Sequence, residues 1–313
     1  MTRHLLSRLS SLVPIWLLIT FFAFLLATAA PGDPALAVLN QRGVDPITAA
    51  DLRQVRAELH LDDPFAVRYV RWLGEVVRGD LGTSFKGGRV LPLLASRFGA
   101  SLQLAVPAFV LALAIGLGAG FAAAAHRDGV VDHLARLVTL VLASVPSFWL
   151  GYLLIIVLSV KLQLLPVAGR DDWRHVVMPA TTLALGSAAS LGRLVRASVL
   201  DELGEQYMRT ARAKGLSDRD ALMRHAARPS LVPVVTVAGL RLGRLLAGAA
   251  IVETVFSWPG IGRLLVESIN DQDYPVIQGI VLFTGTVFVL TNLVADLICA
   301  RIDPRIRLGG GGG

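Results

Sequence analysis

The chain has 313 residues, of which 54% are apolar and 17% charged, with a net charge of +7 and a mean hydropathy of +0.62. Soluble domains carry about 25% charged residues, so this composition excludes an ordinary water-soluble globule. It also excludes a nucleic-acid groove, because the arginines sit between apolar runs and no basic face interleaves with aromatics.

Crossing the roughly 30 Å hydrocarbon core takes about 20 apolar helical residues, and the chain offers six such runs in order. Leu12 to Ala30 is the first. Arg3, His4 and Arg8 precede it, and Ala27-Thr28-Ala29 resembles a signal-peptidase site. A cleaved signal peptide is the alternative, but the apolar stretch exceeds a signal-peptide core and favours a retained helix.

Segment 31–99 follows as the one sizeable insertion. Thr48 and Asp51 have the spacing of a capping box, with Leu52, Val55 and Leu59 at helical intervals behind it. Asp63-Pro64 reads as a second helix start, with Pro64 at the first helical position. Phe65, Tyr69, Val70, Leu73, Val76 and Val77 give that helix an apolar face, and Gly79, Gly82, Gly87 and Gly88 end it. Short amphipathic helices over the mouth of a bundle are expected, since a separate domain this small with so few core positions is marginal.

Ala100 to Ala125 is the second run and Leu137 to Val160 the third, with Pro107 and Pro146 as kink candidates. Gly116-x-Gly118-x-Gly120 has no strand before it. It reads as small-residue helix packing, with Gly116 and Gly120 one turn apart, and not as a dinucleotide loop. Val176 to Gly192 is a shorter fourth run.

The loop 200–230 is the largest on its side. Tyr207 to Lys214 has helix-forming composition and Gly215 breaks it. Ser217 then caps a second short helix with Asp220 as its capping-box partner. Leu222, Met223 and Ala226 are that helix's apolar positions, and Pro229 and Pro233 terminate it and start the next span. On these grounds alone the loop is either a solvated hairpin or a docking element for a soluble partner.

Leu231 to Val252 is the fifth run and carries Arg241 and Arg244. Each costs about 2.5–3.5 kcal/mol at a helix centre. Arg241 lies about ten residues in, roughly 15 Å, hence near the midplane. Spaced three apart, the two share a face turned toward the bundle or a watery path. Each calls for an acid or another polar group opposite it. Glu253, at the outer end of the same run, reads as an interface or gate residue. Val276 to Ala295 is the sixth run, and Cys299 near its end admits no intramolecular disulfide. Gly309 to Gly313 has no core to join and reads as an added linker.

Six spans place 1–11, 126–136, 200–230 and the tail from 301 on one side. That side holds Arg3, Arg8, Arg127, Arg136, Arg209, Arg212, Lys214, Arg219, Arg224, Arg228, Arg301, Arg305 and Arg307, against Lys161, Arg170, Arg174 and Arg263 in the short loops opposite. The rule that positive loops stay inside makes both termini cytosolic and 31–99 external.

No motif for chemistry appears. None of Lys86, Lys161 and Lys214 follows a glycine, so there is no P-loop. No HExxH or GxSxG occurs, and the histidines are scattered. The acids nearest the spans, Asp296 and Glu253, sit toward helix ends, which argues against an ion-coupled secondary transporter.

The loop RTARAKGLS resembles the EAA loop of ABC importer permeases, whose pattern is Glu-Ala-Ala-x-x-x-Gly and then an apolar residue with Leu-Pro. Gly215 fits the glycine and Ala211 the second alanine. Arg209 and Thr210 stand in place of Glu and the first Ala, as in the dipeptide, oligopeptide and nickel branch, and Val232-Pro233 stands in place of Leu-Pro. Pro31-Gly32-Asp33-Pro34, Leu59-His60-Leu61-Asp62-Asp63-Pro64, RGDLGTSF at 78–85, VETVFSWPGIG at 252–262 and Asp303-Pro304-Arg305-Ile306-Arg307 are similar to that branch in the same order, and most similar to its B-type permease.

The resemblance implies an all-α integral membrane protein with about six transmembrane helices in an ABC importer type I permease fold, with short amphipathic helices in the first external loop. It implies a cytosolic N-terminus and first helix over 1–30, an external segment 31–99, a permease core 100–300 containing the 200–230 coupling loop, and a cytosolic tail 301–313. It further implies a bacterial inner-membrane location, a second C-type permease, two ABC ATPase subunits and an external binding protein. No cofactor is expected on this chain, ATP and Mg belonging to the ATPases. Coupling to them falls to Thr210, Ala211, Ala213, Lys214, Gly215, Leu216, Ser217, Asp218, Arg219 and Leu222. Di- or oligopeptides are the implied cargo, with nickel as the alternative; for Arg241 and Arg244 this implies contact with a peptide carboxylate or backbone in transit, or a pair with an acid on the second permease, and both readings stand.

Overall fold

A computed structural model of the chain describes residues 2–29, 32–217, 220, 222, 226–247 and 249–302. Among them every regular element is helical, and the single β-bridge joins Thr83 to Arg89. Five helices have the length and apolarity to cross a membrane, and a sixth crossing exists if one sharply bent pair counts as a span. The exposed surface of these helices is apolar: Leu18, Phe22 and Leu26 on the first, and Leu137, Leu140 and Val141 on another, are all more than half exposed. Such a surface demands lipid or a protein partner.

The chain divides into two compact units, residues 1–101 with 259–289 and residues 102–258 with 290–313. In the first unit, α1 (Thr2–Ala29) carries a short cap made of α2 (Pro34–Gln41), α3 (Ala49–Glu58) and α4 (Phe65–Val77). The caps follow local chemistry. The Asp33 carboxylate accepts the Ala35 N–H at 2.9 Å, with Pro34 at the first helical position. The capping box expected at Thr48 and Asp51 is present. Pro64 differs from expectation: at φ −54°, ψ 141° it precedes α4 as its N-cap instead of opening the helix.

Phe24 of α1 meets Phe65, Tyr69 and Trp72 of α4 at centroid distances of 5.3–5.7 Å, and the Thr20 and Tyr69 hydroxyls lie 3.0 Å apart. Val76, Leu81, Val90 and Leu94 form a core with Ile261 and Leu264 of α12 (Ile261–Asn270) and with Val276 and Ile280 of α13 (Tyr274–Ile302). That core explains why α5 (Val90–Ala125) starts ten residues before the expected Ala100: Val90 and Leu94 are fully buried, so its first turns are packed and not loop. Pro107 interrupts no helix assignment in α5.

In the second unit the expected third span is broken. α6 (Val130–Ser144) and α7 (Ser147–Leu154), which continues as a π-helix over Ile155–Lys161, meet at 100°. Proline disfavours helical backbone at the residue before it, and Val145 is extended at ψ 123°, followed by Pro146 at ψ 139°. α8 (Arg174–Gly204) outruns the expected Val176–Gly192 at its far end, because Val195, Ser198 and Val199 are buried. α8 crosses α5 closely. A Cβ on Gly116 would stand 2.8 Å from that of Leu191, and one on Gly120 2.6 Å from that of Val195. The small-residue reading of the glycine pair holds.

Candidate functional site

The loop after α8 is built from its anchors outward. Glu205 is extended and lets the chain turn into α9 (Gln206–Ala213). Met208 and Ala211, three apart and therefore on one face, are buried at 0% and 8% exposure. Met208 joins Val195, Val199, Leu222 and Ala226 in one core cluster. Thr210, Ala213 and Lys214 face outward.

α9 ends as glycine permits. Gly215 sits at φ +86°, and the Leu216 N–H donates to the Ala211 carbonyl at 3.3 Å, the six-to-one bond of a glycine-closed helix. Ser217 Oγ then accepts the Asp220 N–H at 3.1 Å and donates to its carboxylate at 2.7 Å, as the capping reading expects. Leu222 is buried. The result is a turn, exposed at Lys214, Gly215 and Ser217, pinned on one side by Met208 and Ala211 and on the other by Leu222 and Ala226.

Asp218 and Arg219, and most of the expected second helix, lie outside the described residues. Pro229 and Pro233 do not separate that helix from the next span: α10 (Ala227–Leu246) begins before both and contains them. The Tyr207 hydroxyl donates to Glu202, and burial together with that carboxylate pushes the phenol up, so it stays protonated. The described part of the loop presents a hydroxyl, an ammonium and backbone groups on a turn.

The helix that carries this loop is held by a pair the sequence reading missed. Asp132, in the first turn of α6, has no exposed surface and takes a bidentate contact from Arg196 of α8, Nε–Oδ1 2.6 Å and Nη2–Oδ2 2.7 Å. The Asp128 N–H donates to the same carboxylate at 3.0 Å, and Arg136 Nε stands 3.5 Å away. Asp296 and Glu253 are therefore not the only acids that bear on the spans. The available signal was an acid one turn before Arg136, in the segment 126–136 expected as a loop.

The arginines of the fifth run separate. Arg241 is half-buried, with a buried Nε that has no hydrogen-bond partner among the described residues, whereas Arg244 is exposed. Both Arg244 and Arg193 of α8 lie close enough to repel its charge. Glu253 does not share their helix. α10 ends at Leu246, Ala249 is non-helical at φ −98°, ψ 67°, and Glu253 sits on α11 (Ala250–Val255), 1% exposed beside Val252 and Phe256. Among the described residues no three His, Cys, Asp or Glu side chains converge as a metal cage would.

Comparison with known proteins places this architecture. Residues 114–308 match the model of the family described as binding-protein-dependent transport system inner membrane component, and residues 1–105 match that of its N-terminal region. The chain is 41% identical over 308 residues to the glutathione transport system permease protein GsiC of Salmonella paratyphi A (strain ATCC 9150 / SARB42), covering 98% of this chain and 99% of that one. The GsiC of Escherichia coli (strain K12) matches to the same extent.

In fold it is similar to a chain of the inward-facing MetNI methionine ABC transporter, with a TM-score of 0.55 at 19% identity, over 67% of this chain and 96% of that one. A chain of an amino acid ABC transporter with histidines matches at 0.55 and 16%, over 67% and 94%. The chain thus belongs to the inner-membrane components of binding-protein-dependent transport systems, and it is a multi-pass permease subunit of an ABC importer.

Proposed function

We propose that this chain forms half of the translocation pathway of a peptide importer and is driven through the turn at Lys214 to Ser217. It pairs with a second, C-type permease. Two ABC ATPase subunits, which carry ATP and Mg, grip the turn from the cytosol, where both termini also lie. An external binding protein delivers cargo on the side of segment 31–99. The observation that carries this is the turn itself: its foundations are buried in the bundle and its crest is bare. A partner that moves the crest must move α8 and α10 with it. Such a switch works only by binding its two states unequally.

Peptide cargo is supported by the 41% identity along nearly the whole length to permeases named for glutathione, a tripeptide. Arg241 is the group in the pathway best placed to meet a cargo carboxylate, its buried Nε lacking a partner among the described residues. Arg244, exposed on the same helix, flanks it, and Glu253, buried on α11, serves as an interface or gate residue.

The test is reconstitution of the chain with its neighbouring subunits and binding protein in lipid vesicles. The expected result is ATP-dependent uptake of glutathione or other short peptides, and its reduction by Arg241→Gln. Uptake without nucleotide, or of Ni²⁺ in place of any peptide, would overturn the reading.

A further inference from the structure

A cavity of about 560 Å³ lies within the first unit, walled by the rings of Phe24, Trp72, Phe85 and Tyr274 and by the charged side chains of Arg68 and Glu75. Its volume falls in the range of small-molecule sites, about 300–1,000 Å³. Most charges at its rim are already paired. Arg56 donates to Asp33 and to Asp62, each at 2.9 Å, and Arg71 donates to Asp63 at 2.9 Å. Glu58 receives Arg42 and Gln54.

Among the described residues, two charges have no ion pair. Arg68 is half-buried, donates only to the Leu61 carbonyl at 3.5 Å, and rests 5.9 Å from the Phe24 ring centroid. Glu75 is half-buried too, and among the described residues its carboxylate has no hydrogen bond or ion pair. Burial weighs against the Arg68 charge, with only partial relief from the carboxylates of Asp63 and Asp62. A partly desolvated cation without a counter-ion is a standing cost that a bound carboxylate would relieve.

The spacing sets the size of the ligand. Arg68 and Glu75 lie seven residues apart on α4, two turns along one face, hence about 10.5 Å along the axis. An extended peptide rises at most about 3.3–3.6 Å per residue, so three residues span about 10 Å, two about 7 Å and five about 17 Å.

We propose that this cavity binds a zwitterionic peptide of about three residues, its terminal carboxylate on Arg68, its ammonium on Glu75 and its side chains against the four rings. The proposal rests on the peptide-importer reading for the class of cargo, and adds to it a site on the permease itself.

The test uses the assembled transporter in nanodiscs without binding protein, so that the latter's selectivity plays no part. The probes are radiolabelled trialanine, its C-terminal amide and its N-acetyl form. Arg68→Gln is expected to weaken trialanine binding about tenfold or more and to leave the amide unchanged. Glu75→Gln should likewise weaken trialanine and leave the N-acetyl form unchanged. Arg68→Lys, which keeps stem and charge, recovers part of the loss and separates binding from folding.

Unchanged binding in these variants, equal losses for all three probes, no trialanine binding by the wild type at millimolar concentration, or a phospholipid that peptide does not displace would each overturn the site. Uptake by the same preparation with binding protein added is read separately. Peptide uptake without this charge pattern defeats the cavity and leaves the importer. Absence of any peptide uptake defeats the importer reading itself.

Discussion

The turn after α9 and the cap formed by α2 to α4 are both short helices outside the long spans, yet they are held in opposite ways. The turn is fixed from beneath by apolar side chains, Met208, Ala211, Leu222 and Ala226, and shows a polar crest. The cap has a small apolar core around Ala35, Val38, Leu39 and Val55, but much of its closure is ionic and aromatic, and it borders an open hollow. A convex, rigidly seated turn suits something that must be gripped and moved. A walled hollow with unpaired charges suits something that must hold a small molecule.

Four substitutions test this contrast, beginning with the largest effect. Asp132→Ala leaves the half-buried Arg196 without its counter-ion and is expected to destabilise the second unit by about 3–5 kcal/mol. Thermal unfolding of the detergent-purified complex reads this. Replacing both partners by apolar residues of similar size should recover most of the loss, and a double variant as unstable as the single one would contradict the assignment.

Met208→Ala removes a fully buried anchor of the turn and should cost about 2–5 kcal/mol. Its signature is faster proteolysis at the loop, with the cap unaffected. Gly120→Ala places a Cβ 2.6 Å from Val195 Cβ and 2.7 Å from the Gly192 carbonyl, an overpacking worth about 1–3 kcal/mol. Gly118→Ala, which meets nothing within 4 Å, is the silent control. Thr48→Ala deletes the capping box of α3 and should cost about 1 kcal/mol, loosening the cap as read by amide exchange while the turn keeps its protection.

Much of this was legible in the sequence because the relevant signals are local. The apolar runs located the spans, Thr48 with Asp51 and Ser217 with Asp220 announced their caps, and Gly215 announced the end of its helix. What escaped depends on partners far along the chain. Val90 to Gly99 reads as loop until the residues near 261 and 276 are seen to bury it. Asp132 reads as a loop acid until Arg196, 64 residues later, is seen to reach it. Pro146 signalled a kink, but not the 100° turn that divides one span into two helices. Arg68 and Glu75 carry no motif at all. Only the folding of α1, α4 and the start of α13 around one hollow sets them apart from the other charges of segment 31–99.

The central claim is tested most directly by one engineered thiol. Cys299 is the chain's single cysteine, so Cys299→Ala gives a thiol-free background, and Ser217→Cys then places one sulfur on the crest of the turn. In membranes of cells expressing the full transporter, a short bifunctional reagent is predicted to join this thiol to an ATPase subunit, with a yield that changes on adding ATP. Labelling of the same thiol by a membrane-impermeant reagent from outside intact cells, with no adduct to any ATPase, would contradict the account.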